Sequence, residues 1–114
     1  MSIVQISDEG SLDSVLKGRS PVLLDFWRPE CAKCRLMKPV LEGLAAERAG
    51  SLTVVTVNVD EFPAAMAAHS VSTLPTLKLF RAGQEVSTMT GAVPKTILDR
   101  ELDAVLGLGE ASAS

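Results

Sequence analysis

Apolar positions along the chain switch repeatedly between two periods, and the switches divide it into short elements. Ile3-Val-Gln-Ile6 alternates as a strand, and from Ser7 to Lys17 the residues Leu12, Val15 and Leu16 recur at helical spacing before Gly18 ends the helix. Pro21-Val-Leu-Leu-Asp-Phe-Trp27 is almost continuously apolar, which predicts a strand buried on both faces of a sheet. From Cys31 to Arg48, an apolar stripe of Leu36, Met37, Val40, Leu41 and Leu44 predicts an amphipathic helix lying on that sheet. Pro39 falls inside it, removes one backbone hydrogen bond and is expected to kink it. β-Branched residues dominate Ser51 to Val59, a further strand.

A short Ala-rich helix from Pro63 to His69 leads through Val71-Ser-Thr-Leu-Pro-Thr76 to a strand at Leu77-Lys-Leu-Phe80. Arg81-Ala-Gly-Gln84 reads as a turn feeding Glu85 to Thr90, so the last two strands are predicted to form an antiparallel hairpin. Pro94 in a first turn, followed by Ile97, Leu98, Leu102, Val105 and Leu106, predicts the final amphipathic helix. The order β-α-β-α-β-α-β-β-α predicts an α/β fold in which a central mixed sheet is flanked by helices on both faces. Residues 1–107 are expected to form one domain, and 108–114, poor in apolar residues, a disordered tail.

Composition narrows the function classes. An apolar fraction of 46% over 114 residues supports one real core, and a net charge of -3 gives no electrostatic reason to expect nucleic acid or an anionic membrane as partner. The first residues lack the basic and apolar regions of a secretory signal, and no apolar run is long enough to span a membrane. A cytoplasmic monomer is the expectation.

The candidate chemistry lies where the apolar strand gives way to the second helix. The only two cysteines, Cys31 and Cys34, stand three residues apart there. Residues i and i+3 in a first helical turn lie about 5–6 Å apart, inside the Cα separation of about 4.4–6.8 Å that a disulfide tolerates. The pair can therefore close a bond and reopen it. Two cysteines in a reducing compartment read as catalytic or metal-binding more readily than as a structural staple, while zinc needs four ligands and His69 is the one histidine. Cys31, at the helix N-terminus, is the predicted nucleophile, because unpaired N–H groups favour its thiolate. Lys33 adds a cation that favours the thiolate and Glu30 an anion that opposes it. Cys34, one turn deeper, would resolve the mixed disulfide.

Other residues admit two readings. Asp25, a carboxylate in an apolar strand, is either a desolvated base for Cys34 or a half-buried carboxylate at a strand end. Pro75 on its own is an ordinary loop proline, and Trp27 an aromatic support or plain core. His69 reads as a helix-end residue, and Met37, Met66 and Met89 as gap fillers. No Gly-x-Gly-x-x-Gly motif is present, and no cofactor is expected beyond a Cys31–Cys34 redox disulfide.

The element order, with Cys-x-x-Cys opening the second helix, resembles the thioredoxin family over residues 3–107. Several landmarks carry the resemblance: Asp25-Phe-Trp27 is similar to the strand leading into the active site, Pro39 to the proline inside the helix, Thr73-Leu-Pro-Thr76 to the cis-proline loop, and Gly83 and Gly91 to glycines of the terminal hairpin. The resemblance implies a thioredoxin fold and a dithiol-disulfide oxidoreductase that reduces protein disulfides. Its implied partners are disulfide-containing proteins and a thioredoxin reductase-type electron donor.

At the level of residues, the resemblance implies Asp25 as proton acceptor and a cis peptide before Pro75. The Leu74 backbone would then lie beside Cys31 and pair with an extended substrate segment. Trp27, Glu30, Ala32, Lys33, Leu74, Pro75, Gly91 and Ala92 form the implied substrate-contacting set. The chain also departs from the family pattern Trp-Cys-Gly-Pro-Cys: Glu30 replaces the tryptophan, Ala32-Lys33 replaces Gly-Pro, and Thr56 stands where the family often carries a lysine. These departures leave two alternatives open. One is an oxidase- or isomerase-like protein of higher redox potential, and the other a non-catalytic module that holds partners in the same groove.

Overall fold

Five of the six residues of strand Val22–Trp27 are buried, as a strand covered on both faces must be. In the computed structural model, which describes residues 3–18 and 20–107, this strand is the middle of a five-stranded sheet. The elements in chain order are β1 (Val4–Gln5), α1 (Glu9–Leu16), β2 (Val22–Trp27), α2 (Ala32–Glu47), β3 (Thr53–Asn58), α3 (Ala64–Ala68), β4 (Thr76–Arg81), β5 (Gln84–Thr90) and α4 (Lys95–Leu106). The sheet order is β1-β3-β2-β4-β5; β1 and β2 run parallel to β3, and β4 runs antiparallel to both β2 and β5. The predicted mixed sheet and element order are therefore observed. The expected tail at 108–114 lies outside the described residues.

Side-chain alternation along the strands divides the core in two. Leu23, Val54, Leu77 and Leu79 face α2 and α4, where Met37, Leu41, Leu44, Leu98 and Leu102 cover them. Val22, Leu24, Phe26, Val55 and Val57 face the other way, onto Leu12 and Leu16 of α1 and Ala65 of α3. Because alternation has period two, Asp25 shares the α2 side with Leu23. The β4–β5 turn places Ala82 and Gly83 at φ 53° and 81°, the left-handed pair that a two-residue hairpin needs.

Two residues of the predicted apolar stripes point outward. Leu36 is 65% exposed and Ile97 is 42% exposed. The buried stripe of α2 runs through Cys34, Met37, Leu41, Leu44 and Ala45, and at 3.6 residues per turn Leu36 falls well round from it. Its neighbour Leu98 likewise takes the inward position that Ile97 leaves.

Candidate active site

The chain leaves the buried end of β2 and turns into α2 within four residues, so the start of that helix is held against the sheet. Cys31 is its N-cap, with extended backbone at φ -125° and ψ 108°. Its sulfur accepts the Cys34 backbone N–H at 3.1 Å, one of the four amides that a helix start leaves without an internal partner. Cys31 and Cys34 are joined by a disulfide with a Cα separation of 5.2 Å. Cys31 is half-buried and Cys34 only 5% exposed. An incoming thiol or disulfide therefore meets Cys31 first.

Asp25 lies 4% exposed in the sheet, and its Oδ1 has no hydrogen-bond partner. Burial alone pushes its carboxyl up from 3.8 to about 7. A charged carboxylate loses hydration there and gains nothing in exchange, so the protonated form persists into the neutral range. Asp25, Trp27, Cys34 and Thr56 line one cavity of about 960 Å³. Thr56 pairs directly with Asp25 in the parallel register of β2 and β3. At the position where the family often carries a lysine, this chain thus sets a hydroxyl beside the carboxylate.

The peptide between Leu74 and Pro75 is cis. The Gly91 amide, just past β5, donates to the Pro75 carbonyl at 2.9 Å, so the loop and the hairpin end meet as one wall. Pro75 is buried, Leu74 half-buried, and Ala92 exposed beside Gly91. Glu30, Ala32 and Lys33 are all exposed around the nucleophile. His69 is the C-cap of α3, as a helix-end residue should be, and its ring packs 5.5 Å from Phe26 and 6.0 Å from Phe80. Among the described residues no group of three or more His, Cys, Asp or Glu could hold a metal ion.

Two contacts at the rim are absent from the sequence reading. Arg28 pairs with Asp60 at 3.1 Å, tying the loop after β2 to the loop after β3. The Trp27–Asn58 register brings those loops side by side, but nothing in the sequence states that register. Arg35 donates to the Pro29 carbonyl at 2.8 Å and pins the turn that carries Cys31.

A redox disulfide at a helix N-terminus, an unsatisfied buried carboxyl behind it and a cis-proline loop near the sheet's end define a thiol-disulfide exchange protein. The thioredoxin family model matches residues 2–104. A thioredoxin of Porphyra purpurea is 39% identical over 103 residues, covering 90% of this chain and 96% of that one. One from Haemophilus influenzae is 43% identical over 96 residues, covering 84% and 90%. A chain from a structural study of thiol resolution in yeast mitochondrial 1-Cys peroxiredoxin superposes with a TM-score of 0.81 at 24% identity, covering 90% of this chain and 95% of that one; it shows a shared fold. The chain belongs to the thioredoxin family. It is a dithiol-disulfide oxidoreductase that reduces protein disulfides through its cysteine pair.

Proposed function

We propose that Cys31, Cys34 and Asp25 act as nucleophile, resolving thiol and proton acceptor in that reduction. The Cys31 thiolate attacks one sulfur of a substrate disulfide, forming a mixed disulfide and releasing the other sulfur as a thiolate that takes a proton from water. Cys34 gives its proton to ionised Asp25 and attacks the Cys31 sulfur. The second substrate thiolate leaves and is protonated, and the Cys31–Cys34 disulfide remains. Two electrons have passed to the substrate. A reductase of the thioredoxin reductase type returns the pair to its dithiol form.

The observation that carries the assignment of Asp25 is its unpartnered Oδ1 in the cavity that Cys34 also lines. A carboxyl titrating near 7 is divided between its two forms at neutral pH, so it can both accept a proton and give it up. Helix capping at Cys31 supports the nucleophile, because the amide that reaches its sulfur stabilises negative charge there. The Leu74–Pro75 loop, which the Gly91 amide joins to the end of β5, supports docking of an extended substrate strand, with Ala92, Trp27, Glu30, Ala32 and Lys33 as the further proposed contacts. Residues 1–107 would act as one cytoplasmic, monomeric domain. No described helix is long and apolar enough to cross a membrane.

Insulin reduction driven by dithiothreitol tests the cysteine roles. Cys31→Ser should lose turnover, and Cys34→Ser should accumulate substrates covalently on Cys31. Wild-type turnover no faster than Cys31→Ser would point instead to a binding module.

A further inference from the structure

A row of residues crosses the α2-facing side of the sheet at the level of the buried carboxyl. In register, Gln5 pairs with Thr56, Thr56 with Asp25, and Asp25 with Leu77. The row is apolar on the β4 side of Asp25 and polar on the other, ending at the exposed Gln5 of the edge strand. The cavity follows its polar half, and the opposite wall is α2, which contributes Cys34, Lys38 and Glu42. A cavity of this size, with Gln5, Thr56, Lys38 and Glu42 among its lining residues, admits solvent, since one water needs only about 10–15 Å³ of such volume. The unpartnered Oδ1 of Asp25 therefore has a solvated path to the β1 edge, on the far side of the carboxyl from β4 and its cis-proline loop.

Charge along that path comes from α2 alone. Arg35 also lines the cavity and keeps its full charge, but its guanidinium is held at the β2–α2 turn by the Pro29 carbonyl. Lys38 has no ion-pair partner among the described residues, and Glu42 stands one turn beyond it. β1 and β3 offer Gln5 and Thr56, neither of which titrates near neutrality, and β4 offers Leu77. From α4, Leu98 and Leu102 pack on this face, while Lys95 is held by Glu47 and Asp99.

We infer that Lys38 is a positioning residue for the buried carboxyl: across the solvent of this cavity its ammonium stabilises ionised Asp25, with Glu42 opposing it. This rests on the reading of Asp25 as proton acceptor only for its effect on turnover. Lys38 makes no direct bond to Asp25, so the coupling is Coulombic and of moderate size. A full charge acting across solvent without a direct bond shifts such a carboxyl by about half a pH unit.

The test is a carbon-detected titration of the Asp25 carboxyl in the oxidised protein, paired with the pH profile of insulin reduction. Lys38→Met should raise the carboxyl midpoint by about half a unit, Lys38→Arg should restore it, and Glu42→Gln should lower it. Lys17→Met, the same loss of charge on the α1 side of the sheet, is the control and should leave it in place. An unmoved midpoint in Lys38→Met, or an equal shift in Lys17→Met, overturns the inference. A midpoint that moves while the turnover profile does not would uphold the coupling and remove Asp25 from the role of acceptor.

Discussion

The Lys78 ammonium, on a side chain only 6% exposed, donates to both carboxylate oxygens of Glu85 at 2.9 Å, while Glu85 itself is 40% exposed. The pair lies on the face of the sheet opposite the cysteines, reaching from β4 to the edge strand β5. Its two members differ in how well water can replace the lost partner, so removing one is not equivalent to removing the other. Glu85→Ala should leave the Lys78 ammonium with only Thr88 as a side-chain partner and cost about 1–3 kcal/mol. Lys78→Met leaves Glu85 free to hydrate and should cost less than about 1 kcal/mol. Urea denaturation of both variants measures the difference, and the reverse order would refute this account.

Asp25 should make the fold less stable as pH rises. Its carboxyl is raised from 3.8 to about 7 by burial, so between those values the native state holds a proton that the unfolded chain has released. Stability then falls across that window and levels off above it, by on the order of 4 kcal/mol at about 1.4 kcal/mol per pH unit. Asp25→Asn lacks this dependence. The variant should match the wild type near pH 4 and exceed it by several kcal/mol at pH 8, even as disulfide reduction slows.

Arg48, at the end of α2, bonds Asp99 at 2.9 Å and Asp103 at 3.1 Å on α4, and its side chain is 13% exposed. Arg48→Met would separate the two helices that cover the Asp25 side of the sheet and should cost about 1–3 kcal/mol. The more exposed Lys95, paired with Glu47 and Asp99, should cost less than Arg48 when changed to Met. Thermal melts at low and high salt separate them, because only the Lys95 contribution should fade strongly with salt.

The hairpin turn offers a stabilising change. Ala82 adopts φ 53°, a conformation that costs a residue with a Cβ about 1–2 kcal/mol unless its side chain can bond locally. Ala82→Asn gives the Asn-Gly pair favoured in such turns and should raise stability by about 0.5–1 kcal/mol, read as a higher melting temperature with unchanged turnover.

Local patterning made the elements legible. The continuous apolar run of β2, the β-branched run of β3 and the Ala82-Gly83 turn each reflect a nearby physical demand. The same holds for Cys31 and Cys34, whose spacing is set by one helical turn. Register is a different kind of fact. That Thr56 lies against Asp25, that Gln5 continues the row, and that Arg28 meets Asp60 all depend on how distant strands align, which no short stretch encodes. Leu36 shows the same limit within one helix: its residue type suits a buried face, but the orientation of α2 was fixed by Met37, Leu41 and Leu44 together.

The sulfur of Cys31 closes the first turn of α2 through the Cys34 amide, so the reacting atom is also a fastener of its own scaffold. Knockouts of this residue therefore carry two lesions of unequal size. Alanine at 31 deletes reactivity and loosens the helix entrance together, whereas serine keeps an oxygen acceptor for the amide and isolates the chemical loss. A comparison of the two would separate what this position contributes to electron traffic from what it contributes to architecture.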